Sequence, residues 1–430
     1  MKKFLSFLIV LLISITTFSV PISVFADSKD VSISSPNSVV LDYETGTVLY
    51  EKNGNKKIYP ASTTKIWTAY LVIKNVKNLN DTIEVKSNNL PSGSSLYLEQ
   101  GEIFTVKELL QGLLIHSAND AAFLLAEYVS GSEQAFADLM NKEAKAIGAE
   151  NTHFNNPHGL PDKQHYSTAY DMALMAREAM SNDLIREIVS TKSITFEMCD
   201  TPTSKKFVTR SFINTNKFLT STEKIEYKGK LIDIKYDIVD GIKTGYTDDA
   251  GRCLLTSAVK NGMRVITAVF KDVGTDIYLD SRTLIDYAFD NYYTKTIINK
   301  TDYTKSKRVL FTKEKELLYE PAFNYKLVLE KGSTVSDSYT TEVDLDYNLP
   351  VKKGDTVGTL NVYNDGTLEK TIKLVAKNDL NSIFNFIKKD YLIRFALALI
   401  TLFIIFIISR IIKKRRIRRK RAKHLYRRKK

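Results

Sequence analysis

Cysteine is nearly absent: Cys199 and Cys253 are the only two in 430 residues. That scarcity excludes a disulfide-stapled framework, so both read as free residues, and neither stands in a Cys/His spacing that holds zinc. Histidine is also scarce, at five. His153, His158 and His165 crowd together ahead of a predicted helix, but their spacing matches no zinc signature, and no metal or cofactor is expected. Long apolar runs are missing from everything except the two ends, leaving a body large enough for two folded units.

Net positive charge is likewise missing from that body, although the chain carries a formal net charge of +13. Two of the 62 Lys and Arg precede the first apolar run and 15 lie from Arg394 onward, so the body holds 45 basic against 49 acidic residues, a net of −4. The basicity therefore reports topology, with attraction to anionic inner-leaflet lipids, rather than nucleic acid. The tail also lacks stacking aromatics other than Tyr426, and no nucleic-acid partner is expected.

What the ends do contain is targeting information. Lys2 and Lys3 precede the apolar run Phe4 to Ile13, and Val24-Phe25-Ala26 closes residues 1–26 as a signal-peptide cleavage site; an uncleaved N-terminal anchor is the alternative. Near the other end, residues 391–412 are apolar over bilayer-spanning length, roughly 20 residues. The flanking Arg394 and Arg410 can snorkel, and the basic tail at 413–430 stays cytoplasmic by the positive-inside rule. The expected arrangement is a single-pass protein of a bacterial cell membrane whose body faces outward.

Val39-Val40-Leu41 and Thr47-Val48-Leu49-Tyr50 flank a polar turn containing Gly46, the pattern of a β-hairpin. Ser62 to Asn75 is apolar almost all round, as in a helix buried inside a domain, with Pro60 just upstream. Thr105-Val106-Lys107-Glu108 is a capping box opening a second helix, and amphipathic helices follow around 121–129, 136–147 and 168–180. Strand patterns return at 240–244, 253–256 and 265–270 before a closing helix near Tyr293. Residues 27–293 thus read as one α/β domain interrupted by helices. Residues 295–377 alternate in short runs broken at Pro350, Gly354 and Asn364-Asp365-Gly366, a small all-β domain. A linker at 378–390, with a short amphipathic pattern through Ile383, Phe384, Phe386 and Ile387, leads to the transmembrane helix.

Three short motifs carry chemistry. Ser62-Thr63-Thr64-Lys65 places a hydroxyl and an amine on one face at a helix start, where a lysine of lowered pKa can deprotonate the serine. His116-Ser117-Ala118-Asn119-Asp120 falls between two apolar helical runs, so Ser117 and Asn119 project from a turn or cap a helix. Asp240-Gly241-Ile242-Lys243-Thr244-Gly245 sets Lys243 and Thr244 on a strand, and Gly245 admits close backbone approach. Each motif alone is weak. Their order, S-x-x-K then S-x-N then K-T-G, in helix, loop and strand context, is specific.

With these segments the sequence resembles the penicillin-binding proteins, and within them the low-molecular-mass D-alanyl-D-alanine carboxypeptidases. Leu41-Asp42-Tyr43-Glu44-Thr45-Gly46 and Asn156-Pro157-His158-Gly159-Leu160 add to the likeness. Lys353-Gly354-Asp355-Thr356-Val357-Gly358-Thr359-Leu360 looks like the family's C-terminal module. The resemblance implies a serine β-lactamase/penicillin-binding-protein-like catalytic domain, an antiparallel sheet with helices and a helical subdomain, and a serine-type carboxypeptidase that acts on peptidoglycan stem peptides ending in D-Ala-D-Ala and is acylated by β-lactams. It implies Ser62 as nucleophile, Lys65 as base, Ser117 as proton shuttle and Asn119 as a substrate-orienting amide. Lys243 and Thr244 would hold the terminal carboxylate, and the backbone N–H groups of Ser62 and Tyr246, beside Gly245, would form the oxyanion hole. Both Lys65 and Lys243 remain candidates for the proton transfer.

Two absences qualify the likeness. Many family members carry an arginine shortly before the domain's last helix, but no arginine lies between Arg264 and Arg282, and Ile277 stands in that place. Carboxylate recognition is therefore expected to rest more on Lys243 and Thr244. No E-x-x-L-N segment lies between Asn119 and Lys243, so a class A β-lactamase, the enzymatic alternative, lacks its deacylating acid. D,D-endopeptidase or transpeptidase action shares the acyl-enzyme and differs only in the acceptor. A non-catalytic wall-binding scaffold is the alternative of another class.

Overall fold

The computed structural model describes residues 31–199, 207–333, 338–383 and 389–427; the expected signal peptide and most of the expected linker helix lie outside them, and so does the side chain of Cys199. The chain divides into two compact units, one comprising residues 1–295 with 326–333 and the other the remainder.

The first unit is organised by a five-stranded antiparallel sheet: β1 (Asn37–Asp42), β2 (Val48–Lys52), β3 (Val239–Thr247), β4 (Gly251–Lys260) and β5 (Met263–Asp272), in the order β3-β4-β5-β1-β2. The central strands lack polar alternation because both faces are covered. Side-chain alternation divides them between two cores. Val39, Leu41, Leu255, Ile266, Ala268 and Phe270 point into the helical block, and Val40, Leu254, Val265 and Val269 into the opposite core. The hairpin joining β1 and β2 turns at Gly46, φ 74°.

The helical block comprises α1 (Lys65–Asn75), α2 (Val106–Gln111), α3 (Asn119–Ser130), α4 (Glu133–Ala146), α5 (Ala169–Ala179) and α6 (Asp183–Ser190). α1 is the buried centre. Trp67 is fully buried, stacks on Tyr70 at 5.1 Å and donates its indole N–H to Met140 O. The capping box of α2 forms as the sequence predicts, with Glu108 N donating to Thr105 Oγ1 and Thr105 N to Glu108 Oε2. On the other sheet face lies α7 (Asp276–Asn291), burying Leu284, Ile285 and Ala288.

The second unit holds the antiparallel sheet β6 (Lys305–Arg308), β7 (Glu316–Pro321), β8 (Tyr339–Leu345), β9 (Thr356–Asn364) and β10 (Thr367–Ala376), in the order β6-β7-β10-β9-β8. Leu317, Leu360, Val362, Ile372 and Leu374 form its core. Asp365 and Gly366 join β9 to β10 with φ of 47° and 79°, the two left-handed residues that a tight hairpin of this twist requires. Beyond it α8 (Lys389–Arg427) contains the span Ile393–Arg419, long and apolar enough to cross a membrane, with mean hydropathy 2.7 in its most apolar window.

Candidate active site

Ser62 sits in a single 3-10 turn, Ala61–Thr64, that runs directly into α1. Thr63 closes the turn, donating both its N–H and its Oγ1 to Pro60 O, the latter at 2.6 Å. Ala61 is left-handed, φ 48°. For a residue with a Cβ that conformation costs about 1–2 kcal/mol and persists only where the surroundings enforce it. Two glycines do so. A methyl group on Gly159, itself at φ 82°, would lie 1.9 Å from Ala61 O, and one on Gly245 would lie 3.1 Å from both Ser62 N and Thr63 N. The turn is therefore clasped between the Asn156–Leu160 loop and strand β3.

Helical spacing then brings Lys65 Nζ to 2.9 Å from Ser62 Oγ, and Nζ also donates to His158 O at 2.6 Å. Lys65 is fully buried. Burial first, and then the charge of Lys243, hold its pKa well below the ordinary lysine value, while Asp120 opposes both. A lysine in this condition spends enough time neutral to take a proton from the serine.

Ser117 and Asn119 occupy the junction of α2 and α3. After α2 the chain makes one wide i to i+5 turn, Gly112–His116, and reverses at Ser117, φ 68°. Asn119 N donates to Ser94 O, and Asn119 Nδ2 is engaged by Ser92 O at 2.5 Å. The neighbouring Asp120 holds the facing loop: it accepts from Ser95 Oγ, Leu96 N, Leu98 N and Ala121 N. This buried carboxylate ties the 95–98 loop to the start of α3, beside the Asn119 N to Ser94 O bond.

β3 is the edge strand of its sheet, so one row of its backbone N–H and C=O groups has no strand partner among the described residues and faces the Ser62 turn. Lys243 points inward, is 1% exposed, and donates to Thr244 O at 2.9 Å. Burial alone pushes its pKa down to about 7. Thr244 lies on the opposite side of the strand, where its hydroxyl shares a 2.6 Å hydrogen bond with Thr215 Oγ1. Thr215 N in turn donates to Ile115 O, joining the strand to the wide turn that follows α2.

These elements enclose a cleft of about 590 Å³ whose lining includes Ser62, Ser117, Thr244, Gly245 and Tyr246. Lys65 and Lys243 lie beneath its floor, and Asn119 stands at its side rather than on its lining. Ile277, 3% exposed, also lines it. Sequence reasoning missed Asp120 and Thr215 because both act through loops distant in the chain. The role of Gly159 had a visible signal, the Asn-Pro-His-Gly-Leu run. The histidines prove to be loop fasteners. His165 Nδ1 accepts from Asn155 N and its Nε2 is 2.9 Å from Thr64 Oγ1, burial pushing its pKa down to about 3. His158 Nε2 lies 2.8 Å from Glu133 Oε1, and His153 Nδ1 lies 2.7 Å from Gln164 O. Cys253 is free and buried, its thiol pushed up to about 12 by burial.

A serine whose hydroxyl faces a desolvated lysine, at the foot of an edge strand, defines the serine peptidases and acyl-transferases that use lysine in place of histidine. Residues 23–274 match the family description D-alanyl-D-alanine carboxypeptidase, and residues 292–382 match the C-terminal domain of penicillin-binding protein 5. The chain is 34% identical to the D-alanyl-D-alanine carboxypeptidase DacF of Bacillus subtilis over 88% of its own length and 95% of the relative's. It is 32% identical to DacC of Escherichia coli, with 79% and 83% covered. Among solved structures, penicillin-binding protein 5 from Haemophilus influenzae superposes with a TM-score of 0.60 at 27% identity, covering 83% of this chain and all of that one. The DD-transpeptidase of Streptomyces K15 does so with 0.54 at 29%, covering 61% of this chain and all of that one. The chain belongs to the D-alanyl-D-alanine carboxypeptidase family of serine peptidases, whose members characteristically bind penicillin covalently.

Proposed function

We propose that this enzyme removes the terminal D-alanine from peptidoglycan stem pentapeptides through an acyl-enzyme on Ser62, and so limits cross-linking. The observation that carries the reading is the 2.9 Å contact between Ser62 Oγ and the desolvated Lys65 Nζ. As Oγ attacks the carbonyl of the penultimate D-Ala, Lys65 takes its proton. The developing oxyanion is met by the backbone N–H groups of Ser62 and Tyr246. Asn119 orients the substrate amide, and Lys243 with Thr244 receives the terminal carboxylate. The proton reaches the leaving amine through Ser117, free D-Ala departs, and water then hydrolyses the ester. A β-lactam follows the same first step, but its opened ring stays attached and keeps the ester from water.

Residues 27–293 carry this chemistry and 295–377 form the family's β module. We place the catalytic unit outside the cytoplasmic membrane, held by the helix through residues 391–412, with the basic tail inside. The apolar span and the cluster Lys413 to Arg421 support that orientation. Protease added to intact cells should digest the catalytic unit and spare the tail; the reverse pattern contradicts the orientation.

Product analysis on a pentapeptide tests the activity. Released D-Ala, with a penicillin adduct on Ser62 that disappears in Ser62→Ala, is the expected result. A chain that forms no adduct on Ser62 and releases no D-Ala is a scaffold and not a peptidase. Cross-link cleavage without D-Ala release would make it an endopeptidase, and transfer to an amine acceptor the transpeptidase suggested by the name of the Streptomyces neighbour. Rapid, multiple-turnover penicillin hydrolysis would make it a β-lactamase.

A further inference from the structure

The cleft has an unexplained cation. Of its lining residues only Lys217 and Arg252 bear a charge, and none is acidic. Lys217 is already paired, its Nζ lying 2.7 and 2.8 Å from the two carboxylate oxygens of Glu223. Lys65 and Lys243 are buried below the floor with lowered pKa values, so neither offers a full, permanent charge to the cleft. Arg252 is exposed and, among the described residues, has no carboxylate partner. Its guanidinium is held over the Tyr246 ring, 4.6 Å from the centroid, and Tyr246 is itself tethered through its hydroxyl to Asp248 Oδ1 at 2.9 Å.

Strand register places this cation. Arg252 on β4 is directly opposite Tyr246 on β3, and Leu254 is opposite Thr244. Because side chains alternate, Thr244, Tyr246, Arg252 and Leu254 share one face, and Arg252 is the diagonal neighbour of Thr244, a separation of about 7–8 Å that a long side chain spans. An anion resting on the Thr244 hydroxyl therefore lies within reach of a preorganised guanidinium fork.

We infer that Arg252 is the specificity-determining residue for the substrate's free terminal carboxylate, clamping it together with Thr244. The inference rests on the proposed acyl-enzyme reading and sharpens it. It adds a lasting positive charge to the recognition expected of Lys243 and Thr244, and it explains how the site manages with Ile277 where many relatives have an arginine. A clamp of this kind favours cleavage at a chain's carboxyl end over cleavage of an interior bond.

The test compares Ser62 acylation of the full chain in detergent by benzylpenicillin and by its methyl ester, which lacks the anion, with rates followed by intact-protein mass spectrometry. Charge-assisted hydrogen bonds of this type correspond to a roughly 10–100-fold preference. Arg252→Gln should slow acylation by benzylpenicillin by that factor and leave the ester rate unchanged, collapsing the preference; Arg252→Lys should restore part of it. D-Ala release from pentapeptide should fall in parallel, mainly through KM. A preference for the acid that survives in Arg252→Gln, whatever the absolute rates, overturns the assignment, as does an equal loss with both compounds. Failure of the underlying reading is distinguishable, because the wild-type chain would then form no adduct on Ser62 with either compound.

Discussion

Gly159→Ala tests whether the Asn156–Leu160 loop sets the reactive geometry. The added methyl carbon would lie 1.9 Å from Ala61 O, against ~3.3 Å for a relaxed carbon–oxygen contact. The loop and the Ser62 turn must therefore part by about 1.4 Å. The obstructing atom is backbone, so no rotamer change relieves the clash. Gly159 also sits at φ 82°, which adds about 1–2 kcal/mol for a residue with a Cβ. The same loop supplies His158 O to Lys65 Nζ, so the shift pulls the lysine from the serine as well as displacing Ala61. Misplacement of about 1 Å at a reacting centre costs on the order of 10²-fold in rate. Acylation by a fluorescent penicillin should thus slow by about two orders of magnitude, while circular dichroism shows a folded protein with a lowered Tm. Wild-type acylation rates in a folded Gly159→Ala protein would refute the idea that this loop positions the nucleophile.

Two further outcomes follow from buried charge. Lys243 has its pKa pushed down to about 7 in the folded chain, against ~10.4 when unfolded. Between those values the unfolded state binds more protons, so stability rises with pH across the window and the desolvation penalty is largest below it. Lys65 acts in the same direction. Lys243→Met should therefore flatten the rise of Tm between pH 7 and 10; an unaltered slope contradicts the burial argument. Asp120→Ala removes the acceptor of Ser95 Oγ and of three backbone N–H groups. It should destabilise the protein by roughly 2–4 kcal/mol in urea unfolding and slow acylation by loosening the loop at Ser94 and Ser117. A loss below ~0.5 kcal/mol would mean that the loop is held by other contacts.

Elements governed by neighbours in the chain were legible before any fold was known. The capping box at Thr105 and Glu108 and the Asp365-Gly366 hairpin depend on hydrogen bonds and dihedrals spanning a few residues. Predicted helices and strands around the three motifs also fall where the periodicity places them, with ends shifted by a few residues: the strand expected at 240–244 extends over Val239–Thr247. The Ser62 segment departs in detail. Its first turn is 3-10 and begins from a left-handed alanine, because contacts with Gly159 and Gly245 outweigh local preference. For Asn119 the local pattern offers a turn position or a helix cap, and it does not announce the partner that its amide meets, Ser92 O, 27 residues away.

By itself the sequence determined the reagents and their order: a serine and a lysine one helical turn apart, a Ser-x-Asn turn, an edge-capable Lys-Thr-Gly strand, and an apolar span followed by basic charge. Those follow from covalent spacing and from side-chain type. Only the tertiary structure decided the condition of the reagents. Lys65 loses proton affinity because the fold removes it from water and brings Lys243, 178 positions on in the chain, close to it, and Arg252 enters the cleft because β3 and β4 pair in one register. Desolvation and register belong to the assembled molecule, since both depend on which distant segments share a volume of space.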